Sequence, residues 1–294
     1  FLHTSGPSMT WMLPGTVKAR YGANFRAPDL LTSNKVRPTS GIELVSSRHF
    51  PDEAQGDILI NNSIGYLGAK QHKLIENETG FTTKYVQDLY VSKDLNFRPV
   101  DLEFAPDGSL YVADWQNALI GHMQHSARDP LRDHKHGRIY RVTYPSRPLV
   151  KPAKIDGASI DQLLANLTLP EYRTRYRTRR ELRERDGVEV AKAASVWAAK
   201  QSDHRLKLEA LWVTWGADQV DADLLNELSQ SNDHRIRAAA VRVARFNEHK
   251  LANLTEILSR AANDNHGRVR LESIAAASYL PANQGLAVLA IAEA

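Results

Sequence analysis

Four of the chain's 11 histidines fall between positions 122 and 136, set among aspartates and arginines. The run is Ile120-Gly121-His122-Met123-Gln124-His125, followed by Arg128-Asp129-Pro130-Leu131-Arg132-Asp133-His134-Lys135-His136-Gly137-Arg138. Upstream stand Phe97-Arg98-Pro99-Val100-Asp101 and Asp114-Trp115-Gln116-Asn117. Three chemistries suit these residue types. Imidazole and carboxylate ligate metal ions, and His122, His125, Asp129, Asp133, His134 and His136 supply both, with Asp101 and Asp114 as oxygen donors at strand ends. Imidazole also titrates near neutral pH, which makes His122 or His125 a candidate general base. In that case Arg98, Arg128 or Arg132 would bind an anionic substrate or cofactor, with Trp115 as a stacking surface. In the third reading, Arg128-Asp129 and Arg132-Asp133 form a charge lattice that pins a long loop, and Trp115 packs beneath it. The spacing leaves all three open, because His-x-x-His discriminates far less than a doubled Cys-x-x-Cys.

Other chemistries are excluded. The 294 residues contain no cysteine, so disulfides, thiolate zinc sites, iron–sulfur clusters and covalent haem c cannot form within them. The sequence holds neither a Gly-rich phosphate loop nor a Gly-x-Ser-x-Gly elbow. A net charge of +4, from 38 basic and 34 acidic residues, is too balanced to imply a nucleic-acid partner. Five arginines between Arg173 and Arg180 are followed at once by Glu181, Glu184 and Asp186. That pattern predicts a solvated helix face with internal ion pairs. No apolar run approaches the roughly 18 residues of a membrane span.

The polar run must hang between strands. Residues 40 to 144 hold short β-rich segments: 57–62, 109–114 and the alternating 137–144. Val100 to Phe104 and Leu110 to Ala113 flank Ala105-Pro106-Asp107-Gly108-Ser109, which predicts a hairpin. Residues between Asp114 and Arg138 then form one long inter-strand loop, a common place for function. There is a faint repeat. Ser40-Gly41-Ile42-Glu43 matches Arg98-Pro99-Val100-Asp101, and Gly56 to Asn62 matches Gly108 to Asp114. Units of this size suggest β-propeller blades, two or three of them, fewer than a closed propeller needs.

From about residue 151 the period becomes helical, with segments at 160–167, 173–185, 189–200, 205–215, 223–230, 235–246, 251–262 and 268–280 and a break at Pro281. Tyr172-Arg173-Thr174-Arg175, His204-Arg205-Leu206-Lys207, His234-Arg235-Ile236-Arg237 and Gly267-Arg268-Val269-Arg270 recur along it. The basic residue closing each motif is expected to cap helices or to bridge repeats. Asp-x-x-(Val/Ile)-Arg-x-x-Ala, fullest from Asp233 to Ala240, is like HEAT repeats, whose helix pairs stack to bury their apolar faces. The expected fold is therefore mixed, all-β then all-α: terminal propeller blades in 1–150 and a HEAT/ARM-type α-solenoid in 151–294.

Asn96 to Trp115, together with Ile120 to His125, Arg128-Asp129-Pro130, Arg132-Asp133 and His136 to Val142, resembles the end of the propeller in a large bacterial family. These are the PVC-type membrane-bound dehydrogenases, haem-binding proteins whose β-propeller is like that of the soluble glucose/sorbosone dehydrogenases. Ser40 to Glu43 and Pro51 to Glu53 resemble the blade before it. The resemblance covers roughly residues 30 to 290, with a specific core run and a generic helical part. It implies a quinoprotein-like oxidoreductase outside the cytoplasm, periplasmic or associated with the cell envelope. Such a protein oxidises a sugar or a related alcohol or aldehyde with PQQ and Ca²⁺, a histidine serving as general base. Electrons would pass to a cytochrome c domain or another acceptor. The haem motif and the early blades are absent here, so the chain is expected to be a fragment, with the haem domain beyond Ala294. The alternative is a non-catalytic scaffold whose propeller binds glycan and whose solenoid binds a protein partner.

Overall fold

The computed structural model describes residues 9–11, 18–20, 39–63, 66–117, 129, 130 and 132–293. The chain divides into two compact units, residues 1–152 and 153–294. The first is built of antiparallel sheets and the second of helices.

In the first unit a short pair, β1 (Met9–Trp11) and β2 (Lys18–Arg20), precedes two larger sheets. β3 (Thr39–Leu44), β4 (Ile58–Asn62), β5 (Gly68–Asn77) and β6 (Gly80–Val91) form a four-stranded sheet in chain order. β7 (Pro99–Phe104), β8 (Leu110–Asp114) and β9 (Arg138–Val142) form a three-stranded one. The β7–β8 turn has the chemistry its sequence requires. Gly108 takes φ +81°, and the Asp107 carboxylate accepts from the Ser109 amide at 3.0 Å and hydroxyl at 2.6 Å.

Val45, Phe50 and Leu59 pack with Leu102, Phe104, Leu110 and Val112 into one buried cluster. Phe50 meets Phe104 edge-on at 5.1 Å. Each such side chain stabilises the fold by roughly 1.5–3 kcal/mol. The two sheets meet along β3 and β7, where the Ser40 hydroxyl donates to the Pro99 carbonyl at 2.8 Å. Gly41, at φ +62°, lies so near β7 that a Cβ there would stand 2.7 Å from the Asp101 Cα.

The internal repeat is present but shifted by one residue from the sequence match. Both hairpins carry a bulge near their start, between Ser40 and Ile42 and between Pro99 and Asp101. The pair Ser40–Asn61 therefore corresponds to Pro99–Asp114, and Glu43–Leu59 to Leu102–Val112. Burial follows this register: Glu43 and Leu102 are both buried, whereas Asp101 is exposed. A single slip exchanges the faces of a strand, so burial fixes the equivalence one residue away from the match between Glu43 and Asp101.

The second unit contains nine α-helices among the described residues: α1 (Ile160–Asn166), α2 (Tyr172–Arg183), α3 (Gly187–Ala199), α4 (His204–Gly216), α5 (Ala222–Leu228), α6 (His234–Arg245), α7 (Leu254–Ala262), α8 (Gly267–Ala277) and α9 (Ala282–Glu293). The starts are set by side-chain caps. Asp186, Asp203, Asp221 and Asp233 each accept a first-turn amide, and Ser159 with Gln162 makes a reciprocal capping box. Leu163, Leu182, Leu211, Leu225, Val241 and Leu258 run through one continuous core.

Of the basic residues closing the repeated motif, Arg175 and Lys207 bridge helices, Arg237 ties α6 to the loop before α8, and Arg270 bonds the entry to its own helix. Arg175 reaches Glu209 at 2.8 Å, Lys207 reaches Glu227 at 2.5 Å and Arg237 reaches Asp264 at 2.7 Å. Arg270 donates to the Asp264 carbonyl at 2.6 Å. The arginine-rich helix differs from expectation. Arg175 and Arg179 both pair with Glu209 of α4, whose side chain is buried, and Arg185 with Glu181 is its internal pair. A further helix, α9, follows Pro281, whose carbonyl accepts from the Gln284 and Gly285 amides. That proline opens a helix, since its missing N–H and fixed φ suit a helix start. No described helix is long and apolar enough to cross a membrane.

Candidate functional site

β8 ends at Asp114, and the backbone there turns sharply, with Gln116 at φ +51°. The Asp114 carboxylate organises the turn. Oδ1 accepts from the Arg98 amide at 2.6 Å and the Gln116 amide at 2.8 Å, while Oδ2 accepts from Arg138 Nε at 2.7 Å. Arg138 also reaches Asp94 at 2.8 Å, and that bond, with its tie to Asp114, raises its pKa against burial. The Arg98 guanidinium is buried and donates to the carbonyls of Asn117 (2.8 Å) and Ser63 (3.0 Å). Burial lowers its pKa despite the nearby Asp114 and Asp94. Arg98 and Asp114 thus fasten β7, β8, β9 and the start of the loop to one another.

Held out from this knot, Trp115 and Asn117 line a cavity of about 440 Å³. Among the described residues, Arg132, Asp133, His134, Lys135 and His136 line it as well. Trp115 is 42% exposed, and the Arg132 guanidinium lies 5.9 Å from its ring centre. Asn117 is buried and donates to the Asp133 carbonyl at 3.3 Å, joining the two segments. Asp133 shapes the tight bend that follows. Its carboxylate accepts from the Lys135 amide at 2.9 Å, the His136 amide at 3.1 Å and the His136 ring at 2.9 Å. The Lys135 amide bond leads in holding the Asp133 carboxyl below its usual range, with His136 adding to it. Arg132 thus stands beside the Trp115 ring, and Lys135 is a second cation of the lining.

The sequence candidates separate accordingly. Trp115, Arg132, Asp133, His134 and His136 come together around the cavity. Arg98 and Asp114 lie beneath it as fasteners. Asp101 is exposed on β7, with Oδ1 accepting from the neighbouring Leu102 amide. Asp129 is half-buried, and its carbonyl accepts the Arg132 amide. His122, His125 and Arg128 lie outside the described residues. Asn117 and Lys135 join the site without having been singled out by type or spacing. Their role depends on the bend around Asp133, which only the three-dimensional path reveals.

A calcium ion does not fit the described carboxylates. It requires six to eight oxygens, but Asp114 and Asp133 are already engaged by amides and cations, and Asp101 by an amide. Among the described residues, Asp101, Asp114, Asp129, Asp133, His134 and His136 supply no group of three ligand atoms close enough to share an ion.

Residues 13–146 match the model of a family described as a domain of unknown function, DUF7133. No curated protein and no solved structure matches the chain.

Proposed function

We propose that the cavity beside Trp115 binds a sugar-like small molecule bearing negative charge, within a quinoprotein-like dehydrogenase of sugars or related alcohols and aldehydes. The observation that carries this reading is a half-exposed indole lining the same cavity as Arg132 and Lys135. Sugars present flat C–H faces to aromatic rings, and a carboxylate on the ligand matches guanidinium and ammonium groups. On this reading the two bulged hairpins belong to neighbouring propeller blades, and the bridged helices to HEAT-type repeats that hold a protein partner. The protein would act in the periplasm or cell envelope and hand electrons to a cytochrome c domain or similar acceptor.

Calorimetric titration with glucuronate and with glucose tests the binding step. The expected result is glucuronate binding that weakens at least tenfold in Trp115→Ala. Equal, Trp115-independent heats for both sugars would overturn it. Reduction of an artificial electron acceptor, followed with added PQQ and Ca²⁺, tests the oxidation step. Sugar-dependent reduction supports the dehydrogenase, and binding without reduction reassigns the cavity to a glycan-binding module.

A further inference from the structure

We infer that the C-terminal ends of α2, α4, α6 and α8 form a docking surface for an extended acidic peptide. These helices pack in succession, α2 on α4, α4 on α6 and α6 on α8, so their last turns lie along one edge of the helical unit. Arg183, the last residue of α2, rests on Gly216 at the end of α4, where a Cβ would stand 3.5 Å from its Nε. Trp215 stacks on Phe246 with centroids 5.7 Å apart and planes inclined by 13°. Phe246 meets Tyr279 at 6.3 Å. The Arg245 guanidinium lies between the last two, 4.4 Å from the Phe246 ring centre and 5.5 Å from that of Tyr279. Phe246 is 45% and Tyr279 56% exposed.

The second observation is electrostatic. Arg175, Arg179, Arg237 and Arg242 of the same unit each pair with a carboxylate on a neighbouring helix or loop. Among the described residues Arg183 and Arg245 pair with none, and the Arg245 Nε is buried without a hydrogen-bond acceptor. The nearby Asp218 is taken by Lys250 at 2.5 Å. A guanidinium stacked on rings keeps its in-plane donors available to a carboxylate.

The geometry also selects the form of the ligand. Side chains on one face of an extended strand recur at roughly 6.6 Å, close to the 5.7 and 6.3 Å steps between the rings. A strand lying on Trp215, Phe246 and Tyr279 can therefore present acidic side chains to Arg183 and Arg245.

The test is fluorescence anisotropy of the full chain with a fluorescein-labelled peptide of four Glu-Pro-Ser repeats. The controls are the matching Gln-Pro-Ser peptide and a labelled oligothymidylate. The acidic peptide is expected to bind, and to weaken at least tenfold in the Arg183→Gln/Arg245→Gln double variant. Arg245→Lys, which keeps the charge and the aliphatic stem, should lose most of the same affinity because it lacks the planar fork. Equal binding of the Glu and Gln peptides, no binding of either, or tighter binding of the oligothymidylate would overturn the assignment.

Discussion

Arg237 grips Asp264 through two parallel hydrogen bonds, Nε to Oδ2 at 2.7 Å and Nη2 to Oδ1 at 2.8 Å. The two side chains are only 14% and 11% exposed. Arg237 also donates to the Ser231 carbonyl at 2.8 Å, and Asp264 accepts the His266 amide at 2.8 Å. One ion pair therefore joins the entry to α6 with the entry to α8. Asp264→Ala strands a largely buried guanidinium and should destabilise the protein by about 3 kcal/mol in urea unfolding. Burial pushes the Asp264 carboxyl up, but Arg237 and the His266 amide more than offset this and hold it below the usual range. Its contribution is thus complete above the unfolded value of roughly 3.9 and is lost as the pH falls through the lower folded value. Acid unfolding should therefore show a shallower slope in Asp264→Ala than in the parent.

Asp233 separates a cap from a charge. Its Oδ1 accepts the Arg235 amide at 2.8 Å, and Arg235 Nη2 lies 2.6 Å from Oδ2. The Arg235 side chain lowers its pKa to about 2, with burial opposing. Asp233→Ala should lose about 1 kcal/mol through the missing cap. Asp233→Asn should keep most of that at neutral pH while removing the loss of stability between roughly pH 4 and 2 that the linkage of a lowered carboxyl pKa requires.

Two glycines share φ +81° but not their surroundings. A Cβ on Gly108 would lie 2.6 Å from the Ser47 hydroxyl, 2.8 Å from a Val150 methyl and 3.0 Å from the His49 Cβ, whereas one on Gly56 would meet nothing within 4 Å. Gly56→Ala should cost about 1 kcal/mol of backbone strain alone. Gly108→Ala should cost about 3 kcal/mol, because crowding adds to the same strain. Thermal melts of the two variants measure the difference.

Asp114 tests whether the carboxylate beneath the cavity is a fastener or a metal ligand. Asp114→Asn removes a buried charge that two amides and Arg138 share, and should destabilise by about 2 kcal/mol. The melting temperature of the parent should not move with millimolar Ca²⁺. A Ca²⁺-dependent rise that disappears in the variant would restore the metal role.

Arg132→Gln with Lys135→Gln should erase the preference for glucuronate over glucose while leaving Trp115-dependent sugar binding in place. Titration of both sugars against the double variant reads this directly.

The sequence was most legible where local chemistry sets the backbone. Pro106-Asp107-Gly108 placed the β7–β8 hairpin, and the helical period placed the starts of α3, α4, α5 and α6 within two residues. The β5–β6 hairpin was not legible. Lys70-Gln71-His72-Lys73 is polar, yet the first three are buried, Lys70 against Asp88 at 2.7 Å and beside Tyr66 at 4.2 Å. A strand whose polar residues are paired inside the protein lacks the apolar alternation by which strands are found. The cavity was legible in part for a related reason. Aromatic, basic and acidic types mark a functional segment, but whether an Asp faces solvent or ties amides depends on turns such as the one at Gln116. Asp133 and Asp114 look alike in sequence. One frames the cavity, and the other anchors the strands beneath it.

The bridges in the helical unit each span only adjoining segments: Arg175 and Arg179 to Glu209, Lys207 to Glu227, Arg237 to Asp264, and Arg242 to Glu272. Such couplings carry load one joint at a time. Pulled from its ends in an optical trap, the unit should extend as a staircase, with one joint parting while those on either side stay shut. A unit that opened in this way would yield under tension by one joint and not as a whole.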